Sequence, residues 1–122
     1  MKNSEENGFK LADNVIGFIA TCKVDSTYID SVYVRVREVL EKHEKISLYL
    51  EFTSESIIHS EAILRDLTHE IKLLNRFKKV ALVSDKPLIK ALGMLKKNFL
   101  NAEVRAFSNT CRMDALSWVS LA

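Results

Sequence analysis

Four short apolar runs, each followed by a stretch long enough for a helix, constrain what this chain can fold into more than any other feature. The runs are Val15–Cys22, Ile46–Phe52, Lys79–Ser84 and Glu103–Phe107. The third is almost continuously apolar, which is typical of a central parallel strand covered on both faces. Ile46–Phe52 alternates instead, with Ser47, Tyr49 and Glu51 on the face opposite to its large apolar residues. Strands that alternate with helices predict an α/β fold with parallel strands joined by crossovers.

The start of the chain predicts a hairpin. A short extended segment, Phe9–Ala12, precedes the first run, and Asp13–Asn14 lies between the two. Asp and Asn close tight turns because they tolerate left-handed backbone angles. We therefore expect a mixed five-stranded sheet that begins with an antiparallel hairpin and continues with parallel strands.

Helix signals fill the intervals between the strands, and they predict about four helices packed on the sheet. The oxygens of Asp25–Thr27 can cap a helix that runs to Glu44. Asp85–Pro87 opens the third helix, because proline fits the first helical turn. The second helix carries apolar residues at helical spacing, namely Ile63, Leu64, Leu67, Ile71 and Leu74. Asn109–Thr110 is expected to cap the last helix, with Met113, Leu116 and Val119 facing the core.

Composition indicates one globular domain. The chain has 122 residues, 48% of them apolar and 28% charged, with a formal net charge of +2. We expect a flexible N-terminal segment, 1–8, and a single domain, 9–122. The balanced charge argues against nucleic acid as a partner. No apolar run approaches the roughly 20 residues of a membrane span. The polar, acidic start lacks the features of a secretory signal, so we expect a cytoplasmic protein.

Catalytic and cofactor motifs are absent from the sequence. There is no P-loop, no GxGxxG and no GxSxG pattern, and the three histidines show no metal-ligand spacing. Cys22 and Cys111 are far apart in the chain and are expected to be small buried hydrophobes rather than a disulfide. The only nucleophile and base to consider are Ser60 with His59 or His69, and adjacent helical residues point apart. We expect no enzyme activity, no metal and no cofactor.

The segment between the second and third runs is rich in hydroxyl groups. Glu51–Ser60 follows the carboxyl end of a strand, where α/β sheets usually place their ligands. Ser56 or Ser60 could cap the following helix, or could receive a phosphate at its start. Basic residues gather further on, and they fit either a solvated helix surface or a patch for an acidic partner. They are Arg76, Lys78, Lys79, Lys86, Lys90, Lys96 and Lys97.

An ordered set of short motifs resembles the SpoIIAA-like proteins, a small bacterial family related in fold to STAS domains. Arg76–Lys86 has the family's order of an aromatic residue, a basic residue, an apolar strand, a small residue and Asp-Lys. Ala102–Phe107 and Asp114–Val119 resemble its last strand and last helix. Val15–Phe18 fits the family's opening strand. The resemblance implies a STAS-like sandwich.

The resemblance also suggests functions. It implies a non-catalytic regulatory or protein-interaction module that binds a protein partner or a second copy of itself, as a homodimer. In STAS antagonists a serine at the start of one helix is phosphorylated, and Ser60 occupies that place, although His59 and Ala62 depart from the usual context. The alternative is a carrier or sensor of a small apolar or anionic, lipid-like ligand. Its pocket would be lined by Phe77, Leu88, Leu92, Phe99 and Trp118.

Overall fold

A mixed five-stranded sheet organises the fold, which the computed structural model describes over residues 8–58, 75–87 and 102–121. The elements in chain order are β1 (Phe9–Ala12), β2 (Val15–Ala20), β3 (Lys23–Val24), α1 (Ser26–Leu40), β4 (Ile46–Phe52), β5 (Ile57–Ile58), β6 (Phe77–Val83), β7 (Glu103–Phe107), a 3-10 turn (Asn109–Cys111) and α2 (Arg112–Ser120). The sheet order is β1-β2-β4-β6-β7. β1 runs antiparallel to β2 and all other neighbours are parallel, which confirms the predicted mixed sheet.

The sheet has a core on each of its two faces. On the α1 face, Ile16, Phe18, Leu48, Val80 and Leu82 pack against the buried side of α1. On the α2 face, Val15, Tyr49, Ala81 and Val83 pack against Ala115 and Val119 of α2. Because β4 lies between two neighbours and under both layers, even its polar residues Ser47 and Glu51 are buried.

The described residues contain only some of the predicted helices. The described residues contain two α-helices, α1 and α2, against about four predicted. The second and third predicted helices fall mainly on 59–74 and 88–101, outside the described residues. Neither of the described helices has the length and apolarity that a membrane span requires.

α1 begins as predicted and ends earlier than predicted. The Asp25 side chain accepts a hydrogen bond from the backbone N–H of Tyr28 at 3.0 Å, which satisfies one open amide of the first turn. The helix ends at Leu40 instead of running to Glu44. The guanidinium of Arg76 donates hydrogen bonds to the carbonyl oxygens of Leu40, His43 and Glu44, which satisfies carbonyl groups at and just after the end of the helix.

The first hairpin is present, but not with the expected turn geometry. No described residue other than glycine has a positive φ, so Asp13–Asn14 does not adopt left-handed angles. Instead the register between β1 and β2 shifts between Lys10 and Ala12. Between these positions β1 has one residue more than β2, which is the pattern of a β-bulge.

The last helix is rotated from its expected orientation. Met113 is 70% exposed, so its expected place in the core is wrong, whereas Val119 is fully buried as expected. The chain first makes the 3-10 turn and enters α2 at Arg112. From that start the inward stripe falls on Ala115 and Val119, one helical turn apart, and Met113 lies outside it.

A second, two-stranded sheet was not predicted. β3 and β5 pair in parallel, with Lys23 opposite Ile57 and Val24 opposite Ile58. The backbone N–H of Ile57 also bonds the carbonyl oxygen of Cys22. Strands of two residues show no periodicity, so nothing in the sequence pattern could reveal them. They fix the segment after β4 beside the segment after β2.

Candidate functional site

The carboxyl ends of four parallel strands meet at one edge of the sheet. These ends are Ala20, Phe52, Val83 and Phe107. The loops that follow β4, β6 and β7 lie at this edge, which we call the carboxyl edge. In open α/β sheets this is the usual place for a ligand or a catalytic group. It is therefore the first place to look for chemistry.

A buried carboxylate, that of Glu51, lies next to the last residue of β4 at this edge. Glu51 is 5% exposed, and its Oε1 accepts a hydrogen bond from the hydroxyl of Tyr49 at 2.6 Å. The guanidinium of Arg112, at the start of α2, lies 3.0 Å from the same oxygen. Burial and a charged neighbour are what functional carboxylates share. Here both partners of the Glu51 carboxylate, Tyr49 and Arg112, are side chains of the same chain.

Burial and the neighbouring Glu51 change the pKa of Tyr49. Burial, then the hydrogen bond and the charge of Glu51, raise the pKa of Tyr49 far above its usual value, against a smaller lowering by Arg112. Tyr49 therefore stays protonated near neutral pH and acts as a hydrogen-bond donor only. Glu51 accepts the hydrogen bond of the Tyr49 hydroxyl and forms an ion pair with Arg112. The cluster joins the start of α2 to the centre of the sheet.

A second polar pair locks the loops after β6 and β7 together. The N–H of Asp85 bonds the side-chain oxygen of Asn109 at 3.0 Å, and the N–H of Asn109 bonds the Asp85 carboxylate at 3.1 Å. The Asn109 amide also reaches the carbonyl oxygen of Phe52 at 3.3 Å. Asn109 was expected to cap the last helix, which is wrong, because the residue before α2 is Cys111 and makes no side-chain cap.

Ser56, one of the two predicted phosphorylation or switch sites, is buried. It is 3% exposed, and its hydroxyl donates to the carbonyl oxygen of Thr53 at 2.8 Å. Ser56 precedes β5 rather than a helix, so it does not cap one. A phosphate on Ser56 would require this loop to open. Ser60, the other predicted site, lies outside the described residues, so its role stays a prediction.

The predicted pocket residues are divided between the two faces of the sheet. Phe77 is 3% exposed and belongs to the core of the α1 face. Trp118 is half-buried on α2 and packs on the opposite face. The two side chains therefore do not line one cavity. Leu88, Leu92 and Phe99 lie outside the described residues, and a pocket formed by them stays a prediction.

Two of the gathered basic residues have structural partners rather than a surface role. Arg76 binds three carbonyl oxygens after α1, as described above. Lys79 is 8% exposed, and its Nζ donates to the carbonyl oxygens of Trp118 and Leu121 at the end of α2. Its ammonium also lies over the Trp118 ring, 5.1 Å from the centroid. The solvated interpretation is wrong for Lys79. Lys90, Lys96 and Lys97 lie outside the described residues.

The cysteines depart from expectation, and the described residues hold no metal-binding group. Cys22 and Cys111 are both free, as predicted, but both are exposed, so their expected burial is wrong. Each follows a strand end on the carboxyl edge, where the apolar periodicity of the strand no longer applies. No cluster of three or more potential metal ligands occurs in the described part of the chain. His59 and His69 lie outside it.

Sequence reasoning missed the pairing that defines this edge. Tyr49 and Glu51 were placed on the second face of β4, but their contact with Arg112 was not foreseen. Arg112 lies far along the chain, and only the sheet order brings it near Glu51. The one available signal was an acid and a tyrosine two positions apart on a strand that is otherwise apolar.

The fold and this edge define a class of protein: a small α/β domain whose mixed sheet has a core on each face and whose described polar groups at the carboxyl edge are bonded to one another. The chain belongs to the SpoIIAA-like family, whose sequence model matches residues 15–120. It is similar to an uncharacterised protein from Shewanella loihica with a SpoIIAA-like fold, with a TM-score of 0.63 and 18% sequence identity. That similarity covers 86% of this chain and 83% of the other and concerns the fold. No curated protein gives a significant match.

Proposed function

We propose that this chain is a non-catalytic protein-interaction or regulatory module of STAS type, which works in the cytoplasm and binds a protein partner or a second copy of itself. The observation that carries the proposal is the pairing of Glu51 with Tyr49 and Arg112. Glu51 is the buried carboxylate of the described residues, at the place where this fold would put a catalytic group. Its Oε1 is bonded to Tyr49 and to Arg112, at the start of α2.

The described hydroxyl groups support the same proposal. Nucleophilic catalysis needs a hydroxyl or thiol within hydrogen-bond reach of a base. The buried Ser56 donates to a backbone carbonyl, and the buried Ser84 accepts from the N–H of Lys86. Neither hydroxyl is hydrogen-bonded to a histidine or a carboxylate within the described residues. Both stabilise loops instead.

The described polar groups at the carboxyl edge are bonded to one another, which supports the surface as the working part of the molecule. Surface recognition needs a rigid frame, and the two interlocked loops supply one, since Asp85 and Asn109 hold each other at both backbone N–H groups. The family assignment agrees with this proposal, because SpoIIAA-like proteins resemble STAS domains, which regulate by binding. The alternative, a carrier or sensor of a small apolar or anionic ligand, makes a different prediction in the same experiment.

Non-denaturing mass spectrometry of the full chain, purified from cells, tests the proposal. A mass equal to two chains, or to one chain plus a second polypeptide, supports the interaction module. An excess of a few hundred daltons that is lost on denaturation contradicts it in favour of the ligand carrier. A gain of about 80 daltons that survives denaturation indicates a phosphate and supports the regulatory form. A bare single chain at every concentration and from every preparation contradicts the proposal.

A further inference from the structure

β7 is an edge strand with a regular, exposed backbone. It pairs with β6 at five successive positions, from Lys79 opposite Glu103 to Val83 opposite Phe107, without a bulge. No strand of the described residues pairs with its other side. Glu103, Arg105 and Ala106 are exposed. The other edge strand, β1, has four residues and a shifted register, an irregularity that discourages edge pairing.

The backbone of β7 presents alternate residues to its free side. The carbonyl oxygen of Phe107 accepts a hydrogen bond from the N–H of Ser84 at 2.9 Å, so Phe107 directs its backbone groups toward β6. By the two-residue period of a strand, Arg105 and Glu103 do the same. Val104 and Ala106 therefore direct their N–H and C=O groups outward. These are the groups that an added strand would bond.

The charges on β7 are self-complementary in one antiparallel register. When two copies of β7 pair about a two-fold axis at Val104, Glu103 of each copy lies directly opposite Arg105 of the other. This is a pair without backbone bonds, the type in which opposed side chains come closest. The two neighbouring registers that keep equivalent faces together are centred on Glu103 and on Arg105, and each places that charged residue opposite its own copy. Opposite charges stabilise such positions and like charges destabilise them.

We infer that β7 is the surface through which this chain associates with a second copy of itself, by antiparallel pairing centred on Val104 that extends the sheet across the dimer. The inference rests on the proposed interaction function and specifies its partner. Arg105 is already held in place for this role, because its guanidinium stacks over the Trp118 ring, 5.1 Å from the centroid. Ala106 would face Ala102 of the second copy, and two small side chains leave room for close approach.

The expected dimer is weak. The overlap covers 102–106 of each copy, which includes Ala102 just before β7, and forms about six backbone hydrogen bonds. It buries less area than the roughly 1,200 Å² of a stable interface. We therefore expect a dissociation constant above about 1 μM. The twofold Glu103–Arg105 contact lies at the surface, so salt should weaken it.

Sedimentation equilibrium of the full chain, from about 1 to 500 μM in low salt, tests the inference. Glu103→Arg and Arg105→Glu each place like charges opposite each other twice, and each should raise the dissociation constant about tenfold. The double variant E103R/R105E restores opposite charges and should return it to within about threefold of the wild type. Ala106→Pro removes an outward N–H without touching a bond to β6 and should also weaken the dimer. Circular dichroism checks that each variant is folded.

Two results would overturn the inference. A dimer that is indifferent to E103R and A106P uses another surface, which leaves the proposed interaction function standing. A wild-type chain that stays monomeric over the whole range has no self-association at β7, and the proposed function then depends on finding a different polypeptide by mass spectrometry. Glu103 is exposed and makes no contact in the core, so E103R gives an answer even if the proline variant does not fold.

Discussion

Arg76, in the turn before β6, is hydrogen-bonded to the end of α1: its Nη2 lies 3.0 Å from the carbonyl oxygen of Leu40, the last residue of that helix. The same guanidinium reaches the carbonyl oxygens of His43 and Glu44 at 2.9 Å. Three residues later, Lys79 does the equivalent for α2 on the other face of the sheet, bonding Trp118 and Leu121. Arg76, just before β6, and Lys79, within β6, thus supply cations to the ends of both described helices, where the negative ends of their dipoles lie.

Arg76→Met should destabilise the protein by about 1–3 kcal/mol, because three carbonyl oxygens lose a charged donor while the aliphatic part of the side chain is retained. Urea unfolding followed by circular dichroism measures the change. Lys78→Met is the matched control, because Lys78 is an exposed basic residue two positions further along the chain and should change stability by less than about 0.5 kcal/mol. Equal effects of the two substitutions would contradict the capping role of Arg76.

Lys79→Met should loosen α2 more than the rest of the protein. The substitution removes both hydrogen bonds to the end of α2 and the contact with the Trp118 ring. Trp118 is the single tryptophan of the chain, so its fluorescence reports this site directly. Hydrogen exchange of the α2 amides should accelerate about tenfold while α1 changes little. Uniform acceleration in both helices would show that Lys79 has no local role.

Gly17→Ala should destabilise the protein by about 1–3 kcal/mol through Phe9. A Cβ at Gly17 would lie 2.5 Å from Cζ of Phe9, whose ring covers the glycine and also meets Tyr49 edge-on. The ring would have to move away from the α2 face. Gly17→Ala should lower the free energy of unfolding by less when Phe9 has already been replaced by alanine. Urea unfolding of the two single variants and the double variant measures this coupling. Additive effects of the two substitutions would contradict the contact.

Comparison with Tyr49→Phe should show that the wild type loses stability at alkaline pH because of Tyr49. Because the pKa of Tyr49 is raised above its usual value of 10.0, the folded phenol stays protonated after the unfolded one ionises. The contribution of Tyr49 is therefore complete below about pH 10 and falls by at most about 1.4 kcal/mol for each pH unit above it. Phenylalanine has no such loss. The stability gap between the two proteins should narrow between pH 8 and pH 11, and a constant gap would contradict the raised pKa.

Much of the fold could be predicted because its information is local. β2, β4, β6 and β7 are long enough to show apolar runs, and Asp25 marks the start of α1 by a contact within one turn. Features that depend on a few residues were not accessible. β3 and β5 are too short for periodicity. The orientation of α2 depends on the 3-10 turn Asn109–Cys111, which the sequence pattern did not predict.

The candidate site could not be predicted because its contacts are distant in the chain. Asp85 and Asn109 were each assigned to the start of a helix, which is the usual local role of such residues. In the structure they bond each other, because β6 and β7 end side by side. The same is true of Arg76, whose partners lie at and beyond the end of α1. Charged residues in a balanced sequence give no signal of which ones are buried.

The most direct test of the central claim, that the groups at the carboxyl edge hold the structure and leave recognition to the surface, is a double-mutant cycle in urea with Glu51→Gln, Arg112→Met and both together. We expect E51Q to destabilise the protein by about 1–3 kcal/mol and the pair to be coupled by about 0.5–2 kcal/mol. Residues kept for catalysis often stabilise a protein when they are replaced. An E51Q variant as stable as the wild type or more stable would contradict the claim.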